Sequence, residues 1–250
     1  MFKSWILALD FDGVVWDSAG ECFDTACKTY RNLFQVDCSA LGAPFRSGRW
    51  LVRCGGDFYI VLKLALEQAD RDWQHLPKAE FERHKAAEPE NVKAFETELY
   101  RVRAEWQKND PAEWAASQRP YAGFVAQMAQ LKEAFQEVVL TTTKDERSAA
   151  LLLATAGIEM SIWGREHGTH KGGQITDLCA RRALPANQVV FIDDLLDNLE
   201  QVKPTGAHGF MASWGYNTPD EQAAAKGAGY GVLQQESILA QLESWRTANF

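Results

Sequence analysis

The sequence is poor in the features that mark secreted, membrane-spanning and nucleic-acid-binding proteins. It has five cysteines and no Cys-x-x-Cys pair, so neither a disulfide framework nor a zinc site is expected, and a reducing cytoplasm fits better. The short apolar run 5–9 ends too early at Asp10 for a signal peptide, and no stretch is long enough to cross a membrane. The net charge of −8 argues against nucleic acid as the main partner. We therefore expect a cytoplasmic protein with no membrane or nucleic-acid partner.

Low-complexity tracts and internal repeats are also missing from the sequence. Hydrophobic residues make up 46% of the 250 residues and charged residues 24%, which is typical of a folded globular chain. This length fits one core domain with a substantial insertion better than two large domains. An acidic protein can still hold a locally positive pocket, so phosphorylated substrates stay open.

Short apolar runs predict a parallel sheet that is covered on both faces. The strong candidates are residues 5–9, 138–140 and 189–192, and the weaker ones are 160–163 and 209–212. Helical patterns lie between these runs at 146–156, 173–183 and 195–202, and Gly157 stands where a C-terminal cap belongs. This alternation predicts a doubly wound, Rossmann-like α/β core built from residues 1–18 and 119–250.

Residues 19–118 have a different pattern, with helical periodicity and no convincing strand. The helical stretches are 21–34, 58–69, 79–85 and 92–107. We expect an all-helical unit inserted after the first strand. Its tryptophans, including Trp73, Trp106 and Trp114, are expected to pack the core of this unit.

Two acidic pairs follow two of the predicted strands. The first strand ends in Asp10-Phe11-Asp12-Gly13-Val14, and the run 189–192 ends in Asp193-Asp194. Ligands of open α/β sheets bind beyond the carboxyl ends of the strands, so both pairs are expected at one site. Like charges that converge need a cation or a proton, and Mg²⁺ prefers such oxygen ligands. Each pair alone would also fit a turn or a helix cap.

Two further segments supply groups that can bind an anion. The run 138–140 leads into Thr141-Thr142-Thr143-Lys144, where hydroxyl and backbone N–H groups lie at a strand-to-helix turn. Lys171 lies in a loop between two α/β units. Alone, the first segment fits ordinary helix capping and the second a solvated lysine.

In this order the four segments resemble the haloacid dehalogenase superfamily of phosphatases. The resemblance covers residues 1–18 and about 120–215, and the helical insertion resembles the superfamily's cap. It implies a Mg²⁺-dependent phosphatase that acts on a small phosphorylated metabolite. A sugar-phosphate mutase on the same core is the alternative, and a non-catalytic binding protein on a retained fold is a further one. The oligomeric state and the substrate stay open.

The resemblance implies a role for each matching residue. Asp10 would be the nucleophile that forms an aspartyl phosphate, and Asp12 would be the general acid and base. An acid at position 12 favours phosphate esters over halides, because a halide leaves without a proton. Mg²⁺ would be held by Asp10, by the Asp12 carbonyl and by Asp194, with Asp193 beside them.

The resemblance also implies that Thr142, Thr143 and Lys171 bind phosphate. Thr142 is chosen in the second motif because Thr142-Thr143-Lys144 resembles the family's Thr-Asn-Lys type turn. Thr141 is the alternative to Thr142 if the strand ends one residue earlier. Asp197 and Asn198 straddle the family's further polar position, and the sequence does not distinguish between them.

Three arginines of the insertion are candidates for substrate specificity. If residues 45–53 are helical, Arg46, Arg49 and Arg53 share one face at spacings i, i+3 and i+7. Such a face could bind a carboxylate or second phosphate of the substrate. A solvated basic face is the competing interpretation.

Overall fold

The computed structural model describes residues 2–250, and Met1, which the sequence analysis assigns to the core, lies outside them. The chain divides into two compact units. The first unit comprises the residues up to Asp17 together with Arg119–Phe250, and the second is Ser18–Gln118. The second unit thus begins one residue before the insertion that the sequence predicts.

Eight strands occur in the described residues, all of them in the first unit. In chain order they are Phe2–Leu9 (β1), Trp16–Asp17 (β2), Arg119–Pro120 (β3), Phe135–Thr141 (β4), Ser161–Trp163 (β5), Val189–Asp193 (β6), His208–Ala212 (β7) and Gly231–Leu233 (β8).

Helices connect the strands of the first unit and build the second. Those of the second unit are Ala19–Phe34 (α1), Gly42–Gly48 (α2), Asp57–Glu67 (α3), Lys78–Ala87 (α4), Pro89–Asn109 (α5) and Pro111–Ala116 (α6). Those of the first unit are Ala122–Ala134 (α7), Glu146–Thr155 (α8), Lys171–Arg182 (α9), Leu196–Val202 (α10), Pro219–Gly227 (α11) and Ile238–Asn249 (α12). Within residues 2–250, no helix is both long and apolar enough to span a membrane.

The main sheet has the strand order β5-β4-β1-β6-β7-β8, and its neighbouring strands are parallel. The predicted doubly wound α/β core is therefore confirmed. Leu9 at the end of β1 lies opposite Leu140 of β4 and Ile192 of β6. Because the three strands end in register, the residues that follow them share one edge of the sheet, at the switch point where ligands bind in such folds.

Apolar side chains cover both faces of β1, as the continuous run predicts. Ile6 and Ala8 are fully buried in a cluster that contains Phe191 of β6 together with Ile175 and Leu178 of α9. Leu7 and Leu9, whose side chains point to the opposite face, are also fully buried. Truncating a residue such as Phe191 to alanine is expected to cost about 3–5 kcal/mol. This packing fixes the strand ends that carry the acidic pairs.

The second unit has a core of its own, which draws on α1 to α5. Phe45 of α2 stacks on Phe58 of α3 with ring centroids 5.1 Å apart. Trp73, Trp106 and Trp114 are buried, as the sequence predicts. Each unit has its own hydrophobic core, which is the property that defines an independent domain.

The structure does not meet the condition for a shared arginine face in the second unit. The segment that carries Arg46, Arg49 and Arg53 is not a single helix, because α2 ends at Gly48 and one 3₁₀ turn follows at Arg49–Leu51. Gly48 packs closely on the indole ring of Trp73, and a Cβ at position 48 would lie 2.8 Å from that ring. Arg53 lies beyond the turn, and its guanidinium donates to the carbonyl of Trp50 at 2.6 Å. The three arginines therefore do not form one continuous helical face.

Several elements of the first unit have no counterpart in the prediction. They are the short strands β2, β3 and β8 and the helices α7, α11 and α12. Strands of two or three residues are too short to show a period, and pairing with a neighbour defines them. The predicted C-terminal cap of α8 is confirmed, because Gly157 has φ +65°, in the left-handed region that favours glycine.

Candidate active site

The first acidic pair lies where the chain leaves β1. The backbone N–H of Asp10 still donates to the carbonyl of Ile192 at 2.9 Å, so Asp10 is held at the sheet edge. Gly13 then turns the chain with φ +94°, and its N–H donates to the carbonyl of Trp16 at 2.8 Å. This tight turn sends the backbone away while leaving Asp10 and Asp12 at the end of the strand.

Lys171 neutralises Asp10 inside the protein. It is the first residue of α9, and its side chain is only 1% exposed. The ammonium donates to Asp10 Oδ1 and to the carbonyl of Thr141, each at 2.6 Å, and lies 3.9 Å from Asp193 Oδ2. A buried ammonium needs such partners, so the lysine is fixed among the carboxylates rather than solvated.

The two candidate threonines after β4 have different surroundings. The strand ends at Thr141, whose hydroxyl donates to the carbonyl of Leu9 at 3.3 Å and is therefore tied to the sheet. Thr142 is the first residue beyond the strand, and its hydroxyl accepts the N–H of Lys144 at 3.0 Å. The condition that would favour Thr141 does not hold, so the geometry favours Thr142. Thr143 is exposed on the same turn.

Lys144 belongs to the Thr-rich segment that the sequence analysis singled out, but its contact with Asp12 was not predicted. Its ammonium lies 3.4 Å from Asp12 Oδ1 and 5.6 Å from the centroid of the Phe11 ring. The side chain is 11% exposed, against 24% for Asp12. A lysine directly after a Thr-rich turn has no periodic signal. It reaches Asp12 because it follows β4, which pairs with β1.

Asp193 is engaged by the start of α10. Its Oδ1 accepts the N–H of Leu195 at 2.9 Å, and both of its oxygens accept from the Asn198 amide at 3.0 and 3.1 Å. Burial raises the pKa of Asp193 and the nearby Asp10 raises it further, while Lys171 opposes both. Of the two residues that the sequence left undecided, Asn198 is the one that contacts Asp193, and Asp197 is exposed.

Asp194 is buried, and the segment that follows β7 hydrogen-bonds to its carboxylate. Its Oδ2 accepts the backbone N–H of Tyr216 at 2.6 Å. Gly13 lies against the same carboxylate, where a Cβ would come within 2.1 Å of Oδ2. The side chain of Asp194 is therefore confined between two backbone segments.

The residues fit a divalent cation that prefers oxygen ligands. One carboxylate oxygen from each of Asp10, Asp193 and Asp194 lies within 4.8 Å of the other two, and in residues 2–250 no other group of this kind occurs. Three buried carboxylates face one ammonium, that of Lys171, so a cation would complete the balance of charge. The all-oxygen donor set suits Mg²⁺ rather than zinc or copper.

The sheet edge therefore brings together most of the residues predicted from the sequence: Asp10, Asp12, Thr142, Lys171, Asp193 and Asp194. A buried carboxylate with a cation beside it, and a second carboxylate two residues away, can perform nucleophilic attack and proton transfer on an anionic substrate. Arg46, Arg49 and Arg53 belong to the second unit.

Solved structures share this fold along almost the whole chain, whereas no protein-family profile and no curated protein sequence matches it. A haloacid dehalogenase-like hydrolase from Streptococcus pneumoniae aligns at 15% identity and TM-score 0.66, over 97% of this chain and 100% of that one. A predicted phosphoglycolate phosphatase from Haemophilus somnus aligns at 17% identity and TM-score 0.66, over 97% of this chain and 99% of that one. A haloacid dehalogenase family hydrolase from Deinococcus radiodurans, with bound phosphate and sodium, aligns at 16% identity and TM-score 0.58, over 98% of this chain and 97% of that one. The chain thus has the fold of the haloacid dehalogenase-like hydrolases, with an α/β core and a helical insertion.

Proposed function

We propose that the protein is a Mg²⁺-dependent phosphatase that removes phosphate from a small metabolite through an aspartyl phosphate on Asp10. The observation that carries this proposal is the buried Asp10 carboxylate bound to Lys171 at 2.6 Å, with Asp193 and Asp194 beside it. The fold agrees with it, and the Deinococcus protein of the same fold holds phosphate and sodium.

In the first step an oxygen of the Asp10 carboxylate attacks phosphorus, and the bond from phosphorus to the ester oxygen breaks. Asp12 gives its proton to the leaving alkoxide, which departs as an alcohol. Lys171 and the Thr142 hydroxyl stabilise the charge on the phosphoryl oxygens. In the second step Asp12 takes a proton from water, whose oxygen attacks phosphorus and releases phosphate and free Asp10. Such acid–base assistance is typically worth about 10²–10⁴-fold.

Mg²⁺ would be held by Asp10, Asp194 and the main-chain carbonyl of Asp12, with Asp193 beside them. Bound there, it supplies charge neutralisation between the anionic ester and the attacking carboxylate. The chain supplies two cations of its own at these aspartates, since Lys171 contacts Asp10 and Lys144 lies 3.4 Å from Asp12.

We further propose that the second unit selects among phosphate esters through Arg46, Arg49 and Arg53. A second anionic group on the substrate would meet these guanidinium groups, which bind carboxylates and phosphates well. Phosphoglycolate, named for the Haemophilus protein, carries a carboxylate beside its phosphate and is a suitable first probe.

Phosphate release from a panel of phosphorylated metabolites tests the proposal. Release is expected with Mg²⁺, to vanish with EDTA, and to return when Mg²⁺ is added in excess. Asp10→Asn should abolish turnover because an amide cannot form the acyl phosphate, whereas Asp220→Asn, an exposed position of α11, should leave it unchanged.

Mass spectrometry of the acid-quenched protein should find phosphate on Asp10. Full activity in EDTA, or a fully active Asp10→Asn protein, would refute this mechanism. An isomeric product in place of free phosphate would show a mutase instead.

A further inference from the structure

The loop Ser213–Asn217, here called the β7 loop, lies against Asp194 without belonging to any of the motifs. Its backbone at Tyr216 donates to Asp194 Oδ2 at 2.6 Å. The Asn217 amide donates to the main-chain carbonyl of Asp194 at 3.0 Å and to that of Ala212 at 2.8 Å. The loop therefore binds both the side chain and the backbone of a proposed metal ligand.

The same loop also contacts the turn after β1. The indole N–H of Trp214 donates to the carbonyl of Val14 at 3.0 Å. The hydroxyl of Tyr216 donates to Asp17 Oδ1 at 3.1 Å. The β7 loop thus connects the segment that follows Asp10 with the segment that contains Asp194, although more than 170 residues separate them in sequence.

Two glycines permit this close approach. A Cβ on Gly215 would lie 2.2 Å from Asp194 Cβ and 2.5 Å from the carbonyl oxygen of Gly13. Contacts below 3.0 Å do not occur for real Cβ atoms, so any side chain at position 215 must displace Asp194 or the Gly13 turn. No positive φ is involved at Gly215, and its need for glycine is therefore steric alone.

We infer that the β7 loop is a positioning element that fixes the Asp194 carboxylate before a divalent cation binds. This inference rests on the proposed function. A carboxylate whose orientation is already set by an N–H loses little freedom on binding a cation, so its affinity is higher than that of a rotating one. Gly215 and Asn217 act through Asp194, which both of them contact.

Mn²⁺ binding to the free protein, measured from the EPR signal of the unbound ion, tests the inference without turnover. Gly215→Ala should weaken Mn²⁺ binding by about tenfold or more, because the added methyl displaces Asp194. Gly227→Ala is the matched control, since it adds the same methyl where no atom lies within 4 Å. It should bind Mn²⁺ like the wild type.

Asn217→Ala is the second variant, in case Gly215→Ala does not fold. It removes the amide that holds the Asp194 backbone but adds no bulk, and we expect Mn²⁺ affinity to fall by about three- to tenfold. Circular dichroism melts identify variants that are folded at the assay temperature. Wild-type Mn²⁺ affinity in folded Asn217→Ala protein would overturn the inference.

The two proposals fail in different ways. Mg²⁺-dependent phosphatase activity in the wild type together with unchanged Mn²⁺ affinity in both loop variants would refute the positioning role alone. A wild type that binds Mn²⁺ but releases no phosphate from any ester would refute the phosphatase, while the loop variants would still report on cation binding.

Discussion

Two lysines each pair with one of the two aspartates that follow β1. Lys171 is buried against Asp10, and Lys144 lies near Asp12 at a more exposed position. The buried pair is tightly held at 2.6 Å, whereas the 3.4 Å separation at Asp12 leaves that carboxylate room to move. This difference suits the proposed roles, in which Asp10 is a fixed nucleophile and Asp12 is a general acid and base that must approach two different oxygens in turn.

Arg49 of the second unit packs on an aromatic residue, since its guanidinium lies over the Phe58 ring at 5.5 Å. If it binds a second anion of the substrate, Arg49→Ala removes a charge-assisted contact worth about 1.5–3 kcal/mol. We expect kcat/KM for that substrate to fall by about ten- to a hundredfold, with little change on a small aryl phosphate.

Steady-state kinetics on both substrates check the Arg49 prediction, and Arg83→Ala, an exposed position of α4, is the control. Equal losses on both substrates would point to a defect of folding or closure. An unchanged kcat/KM on both substrates would show that Arg49 does not contribute to substrate binding.

Polar contacts at helix starts hold the elements of the second unit together. Glu88 precedes α5, and its carboxylate accepts hydrogen bonds from Lys63, Tyr59 and Asn91. These contacts, that of Lys63 first, lower the pKa of Glu88 from 4.5 to about 2. They tie the start of α5 to α3, which carries both Tyr59 and Lys63.

Glu88→Gln should lower stability in a way that depends on pH. A carboxyl with a depressed pKa in the folded state stabilises the fold above its unfolded pKa of about 4.5, and this contribution is lost as pH falls through about 2. Allowing for solvent screening, we expect a loss of about 1–2 kcal/mol at neutral pH, or about 2–8 °C in Tm.

The difference in Tm should shrink to less than half by about pH 3, because between about pH 4.5 and 2 the unfolded chain binds a proton at Glu88 that the folded chain does not. Thermal melts across this range check it, with Glu90→Gln, an exposed position of the same helix start, as control. A difference that stays constant with pH would show that Glu88 acts through packing alone.

The strands and helices of the core were predictable where their burial is continuous. The runs 5–9 and 189–192 lie within β1 and β6, because a strand covered on both faces needs no alternation and leaves a plain apolar signal. A single helical face over 45–53 does not form, because α2 ends at Gly48 and a 3₁₀ turn follows, which the spacing of the arginines does not reveal.

At the scale of the whole molecule, the insertion leaves and re-enters the core at adjacent points. Asp17 lies opposite Arg119 on the antiparallel pair β2 and β3, so the two chain crossings are neighbours. The apolar cluster around β1 and β6 draws on residues of the first unit alone. The core therefore has what a separate domain needs.

Replacing residues 18–118 with an Asn-Gly turn should give a core that still folds. A two-residue turn suits the ends of an antiparallel pair, and it restores the connection between Asp17 and Arg119. We expect one cooperative thermal transition and Mn²⁺ affinity within about threefold of the full chain. Asp194→Asn in the same shortened core should abolish that binding, and the absence of a cooperative transition would contradict the prediction.

The two acidic pairs were predictable from the sequence, because each follows a buried apolar run. Lys171 and the proposed role of Asp10 as nucleophile were assigned only through the resemblance to the phosphatase superfamily. The sequence marked Lys144 and Asn198 only as members of candidate segments, without their contacts, and it did not mark the β7 loop. Their contacts with Asp12, Asp193 and Asp194 arise when parallel strands distant in sequence end at one edge of the sheet. A sequence pattern reports what each segment buries, whereas the distance between segments depends on strand order and register, which the packing of the whole core sets.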